Sequence, residues 1–359
     1  MTDLPETMRA MVLTGFGGFD RLEYRGDVPV PQPGPGEVLV RVGAAGVNNT
    51  DINTRIGWYS KTVEGSTSAG GAEGFAEALD DGWSGAPFSF PRIQGADAAG
   101  RIVAAGPEVD PARIGQRVLV EPVFRDAAGG VRYFGSECDG AFAEYALVPA
   151  AHAHRIETAL SDAELAAFPC SWSAAENMIN RARISHGERV LVTGASGGVG
   201  SAAVQLVRRR GAFVTALAGS SKQRAISDLG ADEVLDRHAP LDKDQFDAVI
   251  DVVGGSGFGG LLNALRPGGR YATAGAIAGP MVELDLRTLY LKDLTLYGCT
   301  VLDPEVFPNL VGYIERGEVK PLVCATFPLE RIEAAQRIFL EKRHVGKIVL
   351  TVDSAASGG

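Results

Sequence analysis

The sequence contains few cysteines, and none of them lie close together. Its four cysteines in 359 residues form no CxxC pair. This spacing excludes a disulfide framework and a zinc knuckle, and it is typical of a reducing compartment. The four are Cys138, Cys170, Cys299 and Cys324.

The sequence is also short of basic residues and of long apolar runs. Its 34 Lys and Arg residues are outnumbered by 44 Asp and Glu residues, which gives a net charge of −10. Nucleic acids and anionic bilayers select basic surfaces, so this balance opposes both as partners. No apolar run reaches the about 18 residues that cross a bilayer, and Asp3 and Glu6 stand where a signal peptide is basic and then apolar. We expect a soluble, cytoplasmic protein whose partner is a small molecule, with no nucleic acid and no membrane.

Glycine, in contrast, is abundant, with 46 residues, a share nearly double the roughly 7% of an average protein. Glycine and proline divide the first 150 residues into short apolar segments, which predicts an irregular antiparallel β domain. The predicted strands are Met8–Thr14, Val38–Val42, Arg101–Ala105, Arg117–Pro122 and Ala143–Val148.

From about Arg189 the pattern changes to short apolar runs that alternate with helical periods. Strands that are apolar throughout and alternate with helices indicate a parallel sheet covered on both faces. The last segments, Phe327–Lys342 and Lys347–Thr351, predict one helix and one strand that return to the first domain. The predicted strands of the parallel sheet are Val190–Thr193, Phe213–Ala218, Ala248–Val253 and Arg270–Ala274.

Residues 60–90 differ from their surroundings in composition. Residues 64–71 read EGSTSAGG, and Trp83 and Phe88 follow among further glycines. Two interpretations stay open: a tolerated surface insertion, or a lid whose aromatic residues close on a substrate.

The segment at 190–200 reads VLVTGASGGVG, a strand, a glycine turn and the start of a helix. Gly194, Gly197 and Gly200 permit a tight turn and a close approach of the backbone to a pyrophosphate, which the amides at the helix N-terminus then bind. Because the turn follows a strand and begins a run of βα units, we predict a dinucleotide site here.

The end of the next strand indicates the type of cofactor. An NAD site usually places an acid there for the ribose hydroxyls, but residues 216–224 read ALAGSSKQR. Ser220, Ser221, Lys222 and Arg224 match a 2′-phosphate in charge and hydrogen bonding, so we predict NADPH. The alternative is that Ser220 caps the next helix while Lys222 and Arg224 are solvated.

Further motifs occur along the whole chain. They are PGPGEVLV at 33–40, AGVNNTD at 45–51, GADAAG at 95–100, GAFAEY at 140–145, the glycine turn, LGAD at 229–232 and GKIVL at 346–350. Together they resemble the medium-chain dehydrogenase/reductase superfamily, in particular its zinc-independent quinone oxidoreductase and enoyl reductase branch. The resemblance implies a GroES-like catalytic domain at 1–152, an NADP-binding Rossmann domain at 153–302 with a doubly wound parallel sheet, and a return to the catalytic domain at 303–359.

The same resemblance opposes a metal site. Zinc alcohol dehydrogenases of the superfamily bind zinc with a Cys, a His and a further Cys or Asp, and the matching residues here are Asn48, Ala96 and Cys170. One thiolate cannot hold Zn²⁺, which needs three protein ligands. The lobe that holds structural zinc is missing as well. We therefore expect no metal, and we expect Cys170 to be a small buried apolar residue.

The expected chemistry follows from the lack of a Lewis acid. A conjugated C=C or a quinone is then easier to reduce than a simple carbonyl, because the charge spreads into an enolate that hydrogen-bond donors can stabilise. Residues 48–59, NNTDINTRIGWY, are similar to an enoyl reductase stretch that ends in a functional tyrosine. The similarity implies that Tyr59 donates a proton or orients the carbonyl, the alternative being an aromatic that only packs on substrate. Asn48 resembles an Asn at the nicotinamide end, the alternative being a turn-forming Asn.

The resemblance and the glycine turn together give a set of cofactor contacts. A helix beginning near Ser173 is expected under the nicotinamide, and the residues after the strand that ends near Val253 are expected along its ribose. The predicted cofactor-binding residues are Asn48, Ser173, Gly194, Ser196, Gly197, Gly198, Val199, Gly200, Ser220, Ser221, Lys222, Arg224, Val252, Val253, Gly254, Gly275 and Lys347.

The leading hypothesis is an NADPH-dependent, zinc-independent oxidoreductase that transfers hydride to an enone, an enoyl thioester or a quinone. Two alternatives stay open: a carbonyl reductase of the same fold that uses a general acid in place of zinc, and a non-catalytic NADPH-binding protein. The apolar run Leu294–Thr300 is the predicted last strand of the parallel sheet. By resemblance, this edge pairs with its symmetry mate in a homodimer.

Overall fold

A computed structural model describes residues 4–78, 88–125 and 130–352. Two large sheets organise these residues: a mostly antiparallel sheet built from both ends of the chain, and a parallel sheet built from its middle. This arrangement confirms the predicted fold class. Within the described ranges, no helix has both the length and the apolar character needed to cross a membrane.

The first part of the chain is rich in strands. They are β1 (Thr7–Leu13), β2 (Leu22–Pro29), β3 (Glu37–Val47), β4 (Arg92–Ile93), β5 (Ala99–Ala105), β6 (Arg117–Val120), β7 (Val123–Arg125), β8 (Val131–Tyr133), β9 (Tyr145–Pro149) and β10 (Ala153–Arg155). Three short helices lie among and after them: α1 (Asn49–Arg55), α2 (Thr67–Gly70) and α3 (Asp162–Leu165). The five strands predicted for this part overlap β1, β3, β5, β6 and β9.

β3 runs further than predicted because residues 44–47 pair with residues 348–351. Its two glycines allow acidic side chains to pack closely on the strand: a Cβ on Gly43 would overlap the carboxylate of Asp162, and a Cβ on Gly46 would overlap that of Asp97. The strand leads directly into α1.

The middle of the chain alternates strands and helices. In order they are α4 (Pro169–Arg181), β11 (Arg189–Val192), α5 (Gly198–Arg209), β12 (Phe213–Ala218), α6 (Gln223–Asp228), β13 (Glu233–Asp236), β14 (Phe246–Asp251), α7 (Phe258–Ala264), β15 (Leu265–Thr273), α8 (Leu286–Leu291), β16 (Thr295–Gly298) and α9 (Val306–Glu315). The strands form one parallel sheet in the order β13, β12, β11, β14, β15, β16. β11 and β14, where the order reverses, are buried throughout except at Arg189.

The chain then ends with β17 (Val323–Pro328), α10 (Ile332–Glu341) and β18 (Lys347–Thr351). β18 pairs with β3 and β17, so this last segment completes the sheet of the first part. The prediction of one helix over Phe327–Lys342 was wrong at its start. Residues 323–328 pair with β18, and the helix begins at Ile332, after Pro328 and a short 3₁₀ turn.

Candidate active site between the two domains

The glycine turn lies between β11 and α5. Gly194 has a φ of 56°, and a Cβ on Gly200 would overlap the carbonyl oxygen of Gly194, so both positions need glycine. Gly197 is exposed, and a Cβ there would meet nothing closer than 3.5 Å. The protein's own packing does not require glycine at 197. Because the first amides of α5 lack intrahelical partners, the open surface at Gly197 fits an approaching phosphate.

The loop after β14 packs directly against this turn. A Cβ on Gly194 would lie 3.1 and 3.2 Å from the side chains of the two valines that follow β14. Asp251, at the end of β14, holds the loop by accepting hydrogen bonds from two of its amides, at 2.9 and 3.1 Å. The predicted residues at this edge of the sheet are Val252, Val253, Gly254 and Gly275.

Three basic side chains, which we call the cation cluster (Lys222, Arg237 and Lys342), lie beside the turn. Lys222 Nζ donates to Ser196 Oγ at 3.3 Å and to the carbonyl oxygen of Lys342 at 2.5 Å. The Arg237 guanidinium lies where a Cβ on Gly219 would be. Burial, and after it the charge of Lys222, together lower the pKa of Lys342 to about 8. The cluster therefore places like charges close together beside the glycine turn, which is electrostatically unfavourable.

The predicted phosphate contacts differ in their surroundings, and their contact with a cofactor stays a prediction. Lys222 reaches the glycine turn, Ser220 and Ser221 are exposed in a 3₁₀ turn after β12, and Arg224 is exposed on α6. The sequence reasoning missed Arg237, because it follows β13, a short half-exposed strand that was not predicted.

A second group of polar residues, the buried network (Asn48, Asp97 and Lys347), lies on the catalytic-domain side. Lys347 Nζ donates to Asp97 Oδ2 at 2.7 Å and to Asn48 Oδ1 at 2.5 Å. The side-chain nitrogen Nδ2 of Asn48 donates to the same oxygen of Asp97 at 2.8 Å. Asp97 is fully buried and Lys347 is 3% exposed, so each charge depends on the other for compensation.

The buried network reaches the glycine turn and the start of α4. Asp97 Oδ1 accepts the backbone N–H of Cys170 at 2.6 Å. A Cβ on Gly198 would lie 2.9 Å from Cδ of Lys347, and the amide of Gly346 donates to the carbonyl oxygen of Ser196 at 3.0 Å. β18 thus joins the sheet of the first domain to the first residues of α5.

Three predicted cofactor contacts are buried polar residues with protein partners. Asn48 and Lys347 are bonded to each other and to Asp97. Ser173, on α4, is 1% exposed and donates to the carbonyl oxygen of Cys170 at 3.3 Å. Their contact with a cofactor stays a prediction.

Tyr59 lies just after α1 on the catalytic-domain side. Its hydroxyl donates to Thr50 Oγ1 at 3.1 Å, and its ring meets that of Trp58 edge to face. Burial raises the pKa of Tyr59 to about 12, so the phenol is protonated at neutral pH. On the same helix, burial raises the pKa of Asp51 to about 7 although its carboxylate accepts the backbone N–H of Asn48 at 2.7 Å.

A second tyrosine, which the sequence reasoning missed, reaches the same region from β8. The hydroxyl of Tyr133 lies 2.9 Å from Cys170 Sγ. Burial raises the pKa of Cys170 to about 12, so this side chain is a neutral thiol. Cys170 packs against the apolar core as expected, but it is only half-buried and has the Tyr133 hydroxyl as a polar neighbour. No sequence pattern pairs residues 133 and 170.

The residues at the three expected ligand positions do not fit a zinc ion. Asn48 is committed to the buried network, Ala96 has no donor atom, and Cys170 is a thiol beside a phenol. The ammonium of Lys347 would repel a cation there. Across residues 4–78, 88–125 and 130–352, no three His, Cys, Asp or Glu side chains converge as a metal site.

Residues 62–78, which we call the bridging segment, connect the two domains. The amide of Thr67 donates to the carbonyl oxygen of Ile277 at 3.2 Å, and its hydroxyl donates to Asn53 Oδ1 at 3.0 Å. Trp58 Nε1 donates to the carbonyl oxygen of Gly65 at 2.9 Å. Residues 79–87 of the 60–90 stretch, with Trp83, lie outside the described residues, so the choice between a surface insertion and a lid stays open. The bridging segment itself packs on α1 and on the loop after β15.

Comparisons with known proteins agree with this architecture. Residues 34–158 match the profile of the alcohol dehydrogenase GroES-like domain, and residues 198–316 match that of the zinc-binding dehydrogenase family. A solved structure from Sinorhizobium meliloti 1021, provisionally called an alcohol dehydrogenase, is 45% identical, with a TM-score of 0.88 over 98% of this chain and 99% of its own.

Two curated relatives are also similar over nearly their whole length. The quinone oxidoreductase of Lama guanicoe is 28% identical over 96% of this chain and 97% of its own. The acryloyl-coenzyme A reductase of Metallosphaera sedula is 28% identical over 96% of this chain and 100% of its own. The chain belongs to the medium-chain dehydrogenase/reductase superfamily of oxidoreductases, which confirms the predicted family.

Proposed function

We propose that the protein is a cytoplasmic, NADPH-dependent reductase of activated C=C bonds or quinones that works without zinc. The observation that carries this proposal is the buried network, which fills the metal-ligand region with an amide, a carboxylate and an ammonium. A substrate that spreads its developing charge over a conjugated system needs hydrogen-bond donors and no metal ion. The names of the quinone oxidoreductase and acryloyl-coenzyme A reductase relatives support this class of substrate.

The cofactor side supports a dinucleotide that carries a 2′-phosphate. The amides at the start of α5, next to the open surface of Gly197, would hold the pyrophosphate. Lys222 and Arg237, beside the exposed hydroxyls of Ser220 and Ser221, would hold the 2′-phosphate. When bound, NADPH supplies the hydride that reduces the substrate.

The catalytic-domain side would provide the proton and hold the substrate oxygen. The hydroxyl of Tyr59 stays protonated because burial raises its pKa to about 12, and without substrate it donates to Thr50. With substrate bound, the hydroxyl would turn from Thr50 and donate its hydrogen bond to the substrate oxygen as that oxygen gains negative charge. The product is completed by a proton from Tyr59 or from water.

A carbonyl reductase is the second candidate, because the Sinorhizobium meliloti structure at 45% identity is provisionally called an alcohol dehydrogenase. The same donors would then face a simple ketone or aldehyde. An alkoxide is a more concentrated charge than an enolate, so phenol donors stabilise it less well. We therefore expect simple carbonyls to be the poorer substrates.

The decisive experiment is a steady-state assay with NADPH against quinones, enones, enoyl thioesters and matched saturated ketones, together with elemental analysis of the protein. We expect turnover of at least one activated alkene or quinone, little reduction of the saturated ketones, well under one zinc per chain, and no loss of activity with a chelator. Stoichiometric zinc, or turnover of ketones alone, would overturn the proposal.

We also propose that the chain forms a homodimer through the edge of its parallel sheet. β16 pairs with β15 and is the last strand of the sheet order. Leu296 on this edge is 37% exposed, and the nearby apolar residues Leu286, Tyr290 and Leu291 on α8 are more than 60% exposed. An open apolar edge is a hazard unless it is covered. Light scattering should give twice the chain mass, and Leu296→Lys should give a monomer; a wild-type monomer would contradict the proposal.

A further inference from the structure

The position of Tyr133 is fixed by the hairpin that carries it. β7 and β8 pair in an antiparallel ladder, and the backbone N–H of Tyr133 donates to Glu137 Oε2 at 3.0 Å. Just beyond, Gly135 packs so closely on Gly95 that a Cβ would lie 2.7 Å from the Gly95 nitrogen. The hairpin is therefore anchored next to Ala96, and Tyr133 belongs to the same buried cluster as Ala96.

The hydroxyl of Tyr133 has a weak partner in Cys170. A thiol sulfur is a poor hydrogen-bond acceptor, so the 2.9 Å contact with Cys170 Sγ is a weak interaction for this hydroxyl. Cys170 stands at the third expected zinc-ligand position, so the phenol lies 2.9 Å from the sulfur on which a metal ion would otherwise bind. An oxygen with negative charge would be a better acceptor for this hydroxyl than the sulfur is.

We infer that Tyr133 is a hydrogen-bond donor to the substrate oxygen and takes the electrophilic role that a metal ion has in zinc-dependent relatives. This inference rests on the proposed function, because that function supplies an oxygen that gains negative charge. Ala96, with its single methyl group, leaves the side of the site next to Tyr133 free of a competing imidazole.

Tyr59 and Tyr133 would then have different roles, one as the source of the proton and the other as a hydrogen-bond donor. The hydroxyl of Tyr59 is bonded to a second hydroxyl, that of Thr50, through which a proton can be exchanged. The hydroxyl of Tyr133 is bonded to a neutral thiol, and burial holds the pKa of Tyr133 well above its ordinary value. Tyr133 therefore holds charge on the substrate oxygen and is not the source of the proton.

The test compares Tyr133→Phe with Tyr24→Phe, a matched control on the 41% exposed Tyr24 of β2. With a good enone substrate, Tyr133→Phe should lower kcat roughly 100-fold, the usual effect of removing one oxyanion donor. The melting temperature and the Kd for NADPH should be unchanged, and Tyr24→Phe should match wild type in every measurement.

A second measurement does not depend on turnover. para-Nitrophenolate, which imitates an enolate oxygen, is titrated into the complex with NADP⁺ and followed by its absorbance. Wild type should bind the phenolate at least tenfold more tightly than Tyr133→Phe does. Cys170→Ser places a stronger acceptor beside Tyr133 and should weaken phenolate binding too, which provides a second test if Tyr133→Phe does not fold.

The outcomes separate this inference from the proposed function. If wild type reduces the enone but Tyr133→Phe stays within threefold in kcat and in phenolate affinity, the inference is overturned and the proposed function stands. If wild type reduces no alkene or quinone but binds the phenolate through Tyr133, the donor role stands and the proposed function is overturned. Phenolate binding that neither Tyr133→Phe nor Cys170→Ser changes contradicts the inference.

Discussion

Lys347 and Lys342 are five positions apart in the sequence and lie in opposite electrostatic surroundings. Lys347, on the catalytic-domain side of the cleft, is bonded to the carboxylate of Asp97. Lys342, at the end of α10, donates to the neutral amide of Asn49 on α1 at 3.1 Å, and its charged neighbour is another cation, Lys222.

The difference indicates two roles: Lys347 positions neighbouring protein groups, and the cation cluster is suited to bind an anion. The Lys347 ammonium is compensated inside the protein and can fix Asn48 and the start of α4 with no ligand bound. The cation cluster repels itself, so an anion that enters the cofactor side relieves a cost already present in the fold. The two sides of the cleft should therefore respond differently to substitution, pH and ligand.

The largest effect is expected from Tyr59, a neutral hydrogen-bond donor on the catalytic-domain side. Tyr59→Phe should lower kcat by roughly 10²–10⁴-fold, the usual range for a general acid, without much change in NADPH affinity. Tyr59→Ala should in addition raise KM. Assays of both variants with one alkene substrate test this, and a Phe variant within about threefold of wild type would remove Tyr59 from the mechanism.

The contribution of the Lys347–Asp97 pair to stability can be measured by removing the lysine. Lys347→Met leaves the Asp97 carboxylate buried without its ammonium, which should lower the free energy of unfolding by about 3–5 kcal/mol. Denaturant unfolding measures this loss. The double variant with Asp97→Asn should recover part of it, because no isolated charge remains; a single variant that loses less than about 1 kcal/mol would show that the pair is not a unit.

The cofactor side should distinguish the two dinucleotides. NADPH should bind more tightly than NADH by about 1–3 kcal/mol, since one or two charge-assisted hydrogen bonds to the 2′-phosphate are expected. Arg237→Ala and Lys222→Ala should weaken NADPH and leave NADH nearly unchanged. Arg25→Ala, on the exposed part of β2 and outside the predicted cofactor site, is the matched control. Equal or reversed affinities of wild type for the two cofactors would contradict NADPH specificity.

The smallest effect concerns pH. Because the pKa of Lys342 is lowered to about 8, its charge is present below that pH and is lost as the pH rises through it. NADPH affinity should therefore fall between pH 7 and 9, at most about tenfold per pH unit, and Lys342→Met should flatten this profile. His344 is neutral throughout, since its pKa is lowered to about 4. Titrations at fixed ionic strength test this, and an unchanged profile in Lys342→Met would assign the effect elsewhere.

How far the sequence could predict these features depends on how local they are. The glycine turn is a single stretch with a strand before it and a helix after it, and α5 begins at Gly198, inside the stretch that the sequence predicts to hold a helix start. The buried network joins residues 48, 97 and 347, whose side chains meet through the pairing of β18 with β3. All three positions lie in motifs that carry the resemblance, but no sequence pattern says that the Lys347 ammonium bonds the other two side chains.

Tyr133 is a residue of the candidate site that the sequence analysis did not predict. Its strand has three residues, and its contact with Cys170 depends on where a hairpin packs against a helix start. Arg237 was missed because β13 has only half-buried residues after its first position and lacks the apolar signature of its neighbours. Both residues depend on tertiary packing, which local propensity does not encode.

The place of β18 has a consequence for how the chain folds during synthesis. The parallel sheet uses strands from residues 189 to 298, all contiguous in the sequence, so it can form while the C-terminus is still being made. The sheet of the first domain cannot, because β18 lies inside it, between β3 and β17. Until β18 has been synthesised, β3 keeps an unpaired edge on that side along residues 44–47. A chain that stops before Lys347 would lose an interior strand of this sheet, and with it the lysine that compensates Asp97.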